Sequence, residues 1–344
     1  MLKKVLLTLL VIGGIAGFFL WGKYQAVSSS NVPSDVENLF VEIPTNSTFP
    51  EVVDILFQNG QIKDTVSFRK VAEWMSYKKP KMRSGRFEIK PDWSNRDLIS
   101  HLRGGKQSTV KVVFNTGRFV EEIAGKAALN IEADSISIVQ LLNDKNFIKG
   151  HDYKSETLMS LFIPNTYEFF WNTDAKGFFE KMVKEHDRFW KKNDREKKAA
   201  QLKMSKEEVY TLASIVERET NKKDEKKRIA GVYLNRLRKG IPLQADPTAV
   251  FATRDFTARR VLNKHINFDS PYNTYKYTGL PPGPISVASI SSIDGVLNGE
   301  SHDYIYFCAK PDNSGYHAFA KTLSGHNRNA KKFHNWLNKQ RIMK

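Results

Sequence analysis

The chain has 344 residues, of which 40% are hydrophobic and 26% charged, and a formal net charge of +17 at pH 7. Its one cysteine, Cys308, excludes an intramolecular disulfide, so the fold must be held by a hydrophobic core that a chain of this length can supply. So basic a balance first suggests nucleic acid as partner, while runs such as NKKDEKKR (221–228) and KKNDREKK (191–198) read equally well as solvated helix faces.

The N-terminus argues against nucleic acid. Met1–Lys4 carry two lysines, and Val5–Trp21 is apolar and glycine-rich with Thr8 as its one polar residue. At about 1.5 Å per residue this run spans roughly 26 Å, near the lower limit for a bilayer core. Beyond Lys23 no Lys or Arg occurs until Lys63, whereas Asp35, Glu37, Glu42, Glu51 and Asp54 fall in the interval. The positive-inside rule therefore puts residues 1–4 in the cytoplasm, 5–22 in the membrane and the rest outside, away from nucleic acid. A cleaved signal peptide with Ala26-Val27-Ser28 as its site is the competing reading; the apolar run is longer than a usual signal core, which favours a retained anchor. Residues 28–38 are polar, contain Pro33 and lack an apolar period, so 23–38 read as a short stalk. At about 150 residues per domain, what remains makes two units.

Residues 40–129 hold a weak internal repeat of strand, polar turn and short amphipathic helix. In the first copy Val41 and Ile43 share a strand face, and Val52, Val53, Leu56 and Phe57 form a helix face that stops at Asn59-Gly60. The second has Phe87 and Ile89, a Ser94 cap, then Leu98, Ile99 and Leu102; the third has Val110, Val112 and Phe114 ahead of Val120, Ile123 and Ala127. Such units suit a small open sheet with helices on one side, an α+β arrangement.

Further on, Ser205 with Glu208 three residues later forms a capping box, predicting a helix that runs toward Thr220. At about 100° per residue, Glu219 lies roughly 20° from Leu212, 40° from Ile215 and 60° from Val216, within the apolar face. Glu217 falls on the opposite side. Burial disfavours a charged carboxyl, so Glu219 would hold its proton toward neutral pH and could donate it as a general acid. The alternative is a core carboxylate paired with one of the many basic residues.

Downstream, Gln244, Asp246 and Thr248 follow a helix ended by Gly240 and are expected on a loop or strand start. Asp246 is the leading candidate for a second carboxylate, and equally a turn residue before Pro247. Tyr272, Asn273, Thr274 and Tyr275 offer ring faces and amides suited to sugars, and the rigid GLPPGP segment (279–284) shapes a wall. His317, His326 and Asn327 complete the polar set. Two histidines nine apart without a third ligand at regular spacing do not make a metal site, so hydrogen bonding or simple structural packing is their expected role.

Four segments in order, LASIVERET (212–220), NRLRKGIPLQADPTAVF (235–251), SPYNTYKYTGLPPGPIS (270–286) and GYHAFAKTLSGHN (315–327), resemble the endolytic murein transglycosylase family. The resemblance covers nearly the whole chain, and it makes the second Glu of the E-x-E-T element, Glu219, the catalytic residue. Two positions depart from the pattern: Asn165 stands where Asp is usual, and SVAS (286–289) replaces an Asn-Pro-Gly type turn.

What the resemblance implies is a LysM-like α+β module at 39–110 and a catalytic α+β domain at 111–344. The module would bind sugar or act as a spacer that sets the height of the site. The implied enzyme is a lyase of the bacterial inner membrane, single-pass, with its catalytic domain in the periplasm. It cuts peptidoglycan glycan strands between N-acetylmuramic acid and N-acetylglucosamine, one Glu serving as acid and then base, and leaves a 1,6-anhydromuramic end. No cofactor or metal is implied, and peptidoglycan synthases are the implied protein partners. Lipid headgroups and stem-peptide carboxylates would be the polyanions that answer the basic charge. A glycoside hydrolase using Asp246 and water, or a non-catalytic peptidoglycan-binding scaffold, are the alternatives to be distinguished.

Overall fold

A computed structural model describes residues 2–258 and 260–340. It is a mixed α+β chain that opens on α1 (Leu2–Ser28). The stretch Lys4–Ser28 has a mean hydropathy of 2.3 and leaves its Val, Leu, Ile and Phe side chains from Val5 to Leu20 exposed. It is long and apolar enough to cross a membrane.

The chain divides into two compact units. The first comprises residues 1–111 with 130–133 and 168–174. It contains β1 (Phe40–Ile43), α2 (Phe49–Gln58), α3 (Thr65–Trp74), β2 (Gly85–Glu88) and α4 (Asn95–Gly104). Capping boxes start two of these helices, Thr48 with Glu51 for α2 and Ser94 with Asp97 for α4, each answering backbone N–H groups that a helix leaves open. β1 and β2 pair antiparallel, Val41 opposite Phe87, and the faces of the first two copies close on one core of Val41, Ile43, Val52, Leu56, Phe87, Leu98 and Leu102, although Phe57, expected on that helix face, is exposed.

Two expectations need correction here. Residues 23–38 are not a free stalk: the first six continue α1, and beyond it Val32 is fully buried in this core. The Asn31 amide donates to Asp64 O and to Asn95 Oδ1, and its oxygen accepts from Asp64 N–H at 2.8 Å. One buried side chain that satisfies three partners replaces the apolar period that was lacking. The repeats also do not make one open sheet. β3 (Thr109–Phe114) pairs with β4 (Asn165–Phe170) rather than with β1 or β2, and the boundary between the units falls inside β3. Helix α3 between the first two repeats went unpredicted.

The second unit holds α5 (Val120–Ala128), α6 (Ser135–Asn143), α7 (Lys145–Lys149), α8 (Ala175–Lys191), α9 (Arg195–Gln201), α10 (Lys206–Glu219) and α11 (Lys226–Arg238). It ends with α12 (Asp246–Thr253), α13 (Asn263–Ile266), α14 (Ile290–Leu297), the hairpin strands β5 (Tyr306–Ala309) and β6 (His317–Ala320), and α15 (Leu323–Lys339). The Ser205–Glu208 capping box starts α10 as the sequence predicts, with Ser205 Oγ accepting from Glu208 N–H at 3.1 Å.

α10 is the axis of this unit. Every residue from Val209 to Val216 is buried, not only one stripe, because α11, α12 and α14 all pack around it. Residues 283–288 also run buried beside it. Their backbone donors are answered by its side chains: Ser214 Oγ accepts from Ile285 N–H at 3.0 Å and Tyr210 Oη from Ala288 N–H at 3.2 Å. An irregular segment can be buried only when its N–H groups are met in this way.

The basic runs are likewise not simply solvated faces. Arg195 is 5% exposed and grips Asp294 through two hydrogen bonds of 2.8 and 3.1 Å, while Glu225 and Lys226 are also buried.

Gly283 shows how tight the packing beside α10 is. A Cβ there would lie 1.7 Å from the backbone oxygen of Glu156. Gly283→Ala is therefore expected to destabilise the protein by about 1–3 kcal/mol or more, read as a lower denaturant midpoint. An unchanged midpoint would contradict the packing described.

Candidate active site

Glu219 is the last residue of α10, where the chain turns extended at Thr220 (φ −148°, ψ 140°). Its half-buried carboxyl lies in the wall shared by two cavities, of about 590 and 490 Å³. Tyr233, buried on α11, donates its hydroxyl to Glu219 Oε1 at 2.6 Å, which leaves Oε2 to carry the proton. No Lys or Arg pairs with this carboxyl among the described residues, so it is not the salt-bridged core glutamate of the alternative reading.

Burial pushes the Glu219 pKa up to about 7; the Tyr233 hydrogen bond pulls the other way, and the negative charge of Asp246 adds to the rise. The C-terminal end of α10, with its partial negative charge, acts in the same upward direction. A carboxyl that is half protonated near neutral pH can give a proton and later take one back.

Glu217, two residues earlier, is not a free solvent-facing carboxylate. It does point away from Glu219, but that side of α10 is covered too. Lys226 Nζ donates to its Oε2 at 2.8 Å and Ser292 Oγ at 2.6 Å, and the Ser289 hydroxyl also donates to it. Burial pushes its pKa up, but these donors outweigh burial and hold it below the usual carboxylate range. Two glutamates separated by one residue thus take opposite states, one fixed as an anion in a structural network and the other poised to exchange a proton.

The other expected site residues divide. Asp246 and Tyr275 line both cavities, with Tyr275 donating its hydroxyl to Asp246 Oδ1 at 2.5 Å. Asp246 and Thr248 stand in the first turn of α12, not on a loop or strand start, because Pro247 at the helix N-terminus is set for helical φ. Gln244, at φ 49°, lines the smaller cavity, and its side-chain oxygen accepts from Arg236 Nη1 at 3.2 Å.

Thr248, Asn273 and Thr274 lie beneath the cleft and not in its wall. The Asn273 amide is spent on the carbonyls of His265, Ile266 and Phe268, and the Thr248 and Thr274 hydroxyls meet at 2.8 Å. They brace the loop that presents Tyr275. Tyr272 packs on Phe251, ring centroids 4.9 Å apart, outside both linings. Of the wall segment, Leu280, Pro281 and Pro282 line a different cavity, and it is Ile285, just beyond the segment, that lines the larger one.

His317 and His326 line the smaller cavity. His317 is held by buried Glu225, which accepts from its backbone N–H at 2.8 Å and bonds Nδ1 at 2.7 Å. His326 stacks on Tyr306 at 5.3 Å, and burial together with the Arg236 charge keeps its pKa below the ordinary value. Asn327, one position on along α15, is exposed and faces neither cavity.

Residues that sequence reasoning passed over complete the cleft. Tyr233, Arg236 and Tyr306 line the smaller cavity, and Arg118, Arg218 and Arg260 the larger. Tyr233 looks like one more apolar position of α11. Arg118 comes from a segment a hundred residues before Glu219, with no spacing signal to connect them.

A cleft whose wall holds a carboxyl of raised pKa, with no Lys or Arg paired to it among the described residues, is suited to acid–base chemistry. Comparison with known proteins agrees in family. The YceG-like family matches residues 41–332, and the chain belongs to it. A Bacillus subtilis (strain 168) protein named endolytic murein transglycosylase is 30% identical over 338 residues, 93% of this chain and 91% of its own length. A Streptococcus pneumoniae serotype 2 (strain D39) protein of the same name is 28% identical over 362 residues, 94% of this chain and 63% of its own length. The crystal structure of a YceG-like protein from Listeria monocytogenes matches with a TM-score of 0.56 at 29% identity, covering 84% of this chain and 97% of that one.

The Tyr233 contact has a testable consequence. A hydrogen bond to the ionised carboxylate favours that form, so its loss raises the Glu219 pKa further. In Tyr233→Phe the descending limb of activity against pH, where Glu219 loses its proton, is expected to move to higher pH. Activity at the optimum should fall on the order of tenfold as the carboxyl loses its orientation. A pH–rate profile with an unmoved limb would rule out the role given to Tyr233.

Proposed function

We propose that the protein is a membrane-anchored endolytic transglycosylase that cuts peptidoglycan glycan strands between N-acetylmuramic acid and N-acetylglucosamine. It is an enzyme of the lytic transglycosylase class, a carbon–oxygen lyase, in keeping with its relatives. The observation that carries the reading is the position of Glu219: a carboxyl with a pKa near 7 between two cavities, so that a strand laid through both passes over it.

In this reading Glu219 works alone. Its Oε2 proton goes to the bridging oxygen as the C1–O bond breaks and the N-acetylglucosamine side departs as an alcohol. The carboxylate then takes the proton of the muramic C6 hydroxyl while that oxygen bonds to C1, closing the 1,6-anhydro ring. Glu219 ends protonated as it began, and no water is consumed. The rate comes from holding the C6 hydroxyl over C1 in a site that keeps water out. Asp246 gives the competing hydrolysis its footing, since it lines the same cavities, but its carboxylate already accepts from Tyr275.

Support for the anchor comes from α1, long and apolar enough to cross a membrane, and the bias of lysines before it and acids after it supports an orientation with residues 39–344 on the outer face. Residues 39–110 then serve as a LysM-like module that holds the strand or sets the height of the catalytic domain, residues 111–344. Glycan synthases working at the membrane are the partners that would deliver fresh strands.

Glu219→Gln keeps the shape of the side chain and an oxygen for Tyr233 but carries no transferable proton, so activity is expected to fall by at least about a thousandfold. A raised folded-state pKa means that the ionised carboxylate costs stability as pH rises from about 4.5 toward 7. The variant should therefore be no less stable than the parent above pH 7. Mass spectrometry of strands cut by the parent should find anhydro ends; ends one water heavier, carrying ¹⁸O from labelled water, would instead establish hydrolysis. Residual activity in a stable Glu219→Gln would move the acid elsewhere.

A further inference from the structure

We propose that Arg118 and Arg218 form a subsite for a carboxylate carried on the substituent of the sugar beside Glu219; this rests on the glycan-cleaving reading above. The larger cavity is lined by three arginines, Arg118, Arg218 and Arg260, against the single aspartate Asp246 and Glu219 itself. The Asp246 carboxylate is engaged by Tyr275, and among the described residues neither Arg118 nor Arg218 pairs with a carboxylate through its guanidinium.

The two guanidiniums are held close enough to repel. Partial burial and the charge of Arg118 together make Arg218 a weaker base than usual. Arg118 is fixed at both ends: its backbone N–H donates to Glu122 Oε1 at 2.9 Å, and its guanidinium lies 4.4 Å from the centroid of the Phe256 ring. Both residues line the larger cavity, whereas the proton affinity of Glu219 is set by burial, Tyr233 and Asp246. Two unpaired guanidiniums in a cleft are suited to grip a carboxylate with paired N–H···O bonds, and that anion removes their mutual repulsion.

Muramic acid offers such a group from two sources. With its peptide removed it has a free lactyl carboxylate; with its peptide attached, the lactyl group is an amide and the acids lie along the peptide. Neutral N-acetylglucosamine offers neither, so the subsite would fix which sugar stands on which side of Glu219.

The test is binding to the full chain in detergent carrying Glu219→Gln, so that no strand is turned over. Three kinds of strand serve as probes: with stem peptides, after amidase removal of the peptides, and with all carboxylates converted to amides by carbodiimide and ammonia. Calorimetry should show acid-bearing strands binding more tightly than amidated ones. Adding Arg118→Gln with Arg218→Gln should remove that preference by weakening acid-bearing strands on the order of tenfold or more, with amidated strands unchanged. Arg118→Lys with Arg218→Lys should restore part of it. A loss confined to amidase-treated strands assigns the lactyl carboxylate, and a loss confined to intact strands assigns the peptide. An unchanged preference, equal weakening of all three probes, or no binding of any would overturn the subsite. Failure of the unmutated enzyme to cut any strand would count instead against the glycan-cleaving reading.

Discussion

The end of α10 imposes the constraint on which the rest depends: a carboxyl must sit at the C-terminus of a buried helix without a cation to neutralise it. An isolated buried charge is costly, and the group responds by keeping its proton. The surrounding structure keeps that state available. Lys226 is tied to Glu217, Ser289 and Ser291 on another side of α10, and Arg236, in the wall of the smaller cavity, donates to the carbonyls of Ile305, Pro242 and Leu243. Among the described residues, the donor that reaches Glu219 is a neutral one, Tyr233. The capping box, the serine-bonded segment beside α10 and the Arg195–Asp294 pair all serve to hold that helix end in place.

The two sides of the cleft then differ in kind. On one side basic side chains stand open in the cavity; on the other, Arg236 and His317 are held by backbone and by Glu225, and aromatic rings of Tyr306 and Phe307 form the surface. An asymmetric cleft gives a polymer laid through it a direction across Glu219.

Glu219 is legible in the sequence because helical periodicity places a carboxylate among Leu212, Ile215 and Val216, and the capping box fixes where that helix begins. The same periodicity misjudges Glu217, because it treats a helix as having one buried face while α10 is covered on nearly all sides. Motif residues read as sugar-binding, Thr248, Asn273 and Thr274, prove to be braces: an amide or hydroxyl looks the same in sequence whether it meets a ligand or a buried carbonyl. The repeated strand-and-helix units are visible as patterns, but their pairing is not, and β3 finds its partner some fifty residues later in β4. Arg118 and Tyr233 escape notice because only the folded chain brings them to Glu219.

In the proposed reaction the proton affinity of Glu219 is the quantity on which the chemistry turns. Selective ¹³C labelling of glutamate carboxyls, with Glu219→Gln used to assign the signal, allows a direct NMR titration of this one group in the folded protein. A midpoint near 7 is the expected result. A midpoint at the ordinary glutamate value of about 4.3 would mean that Glu219 is ionised at neutral pH and cannot be the acid that breaks the bond.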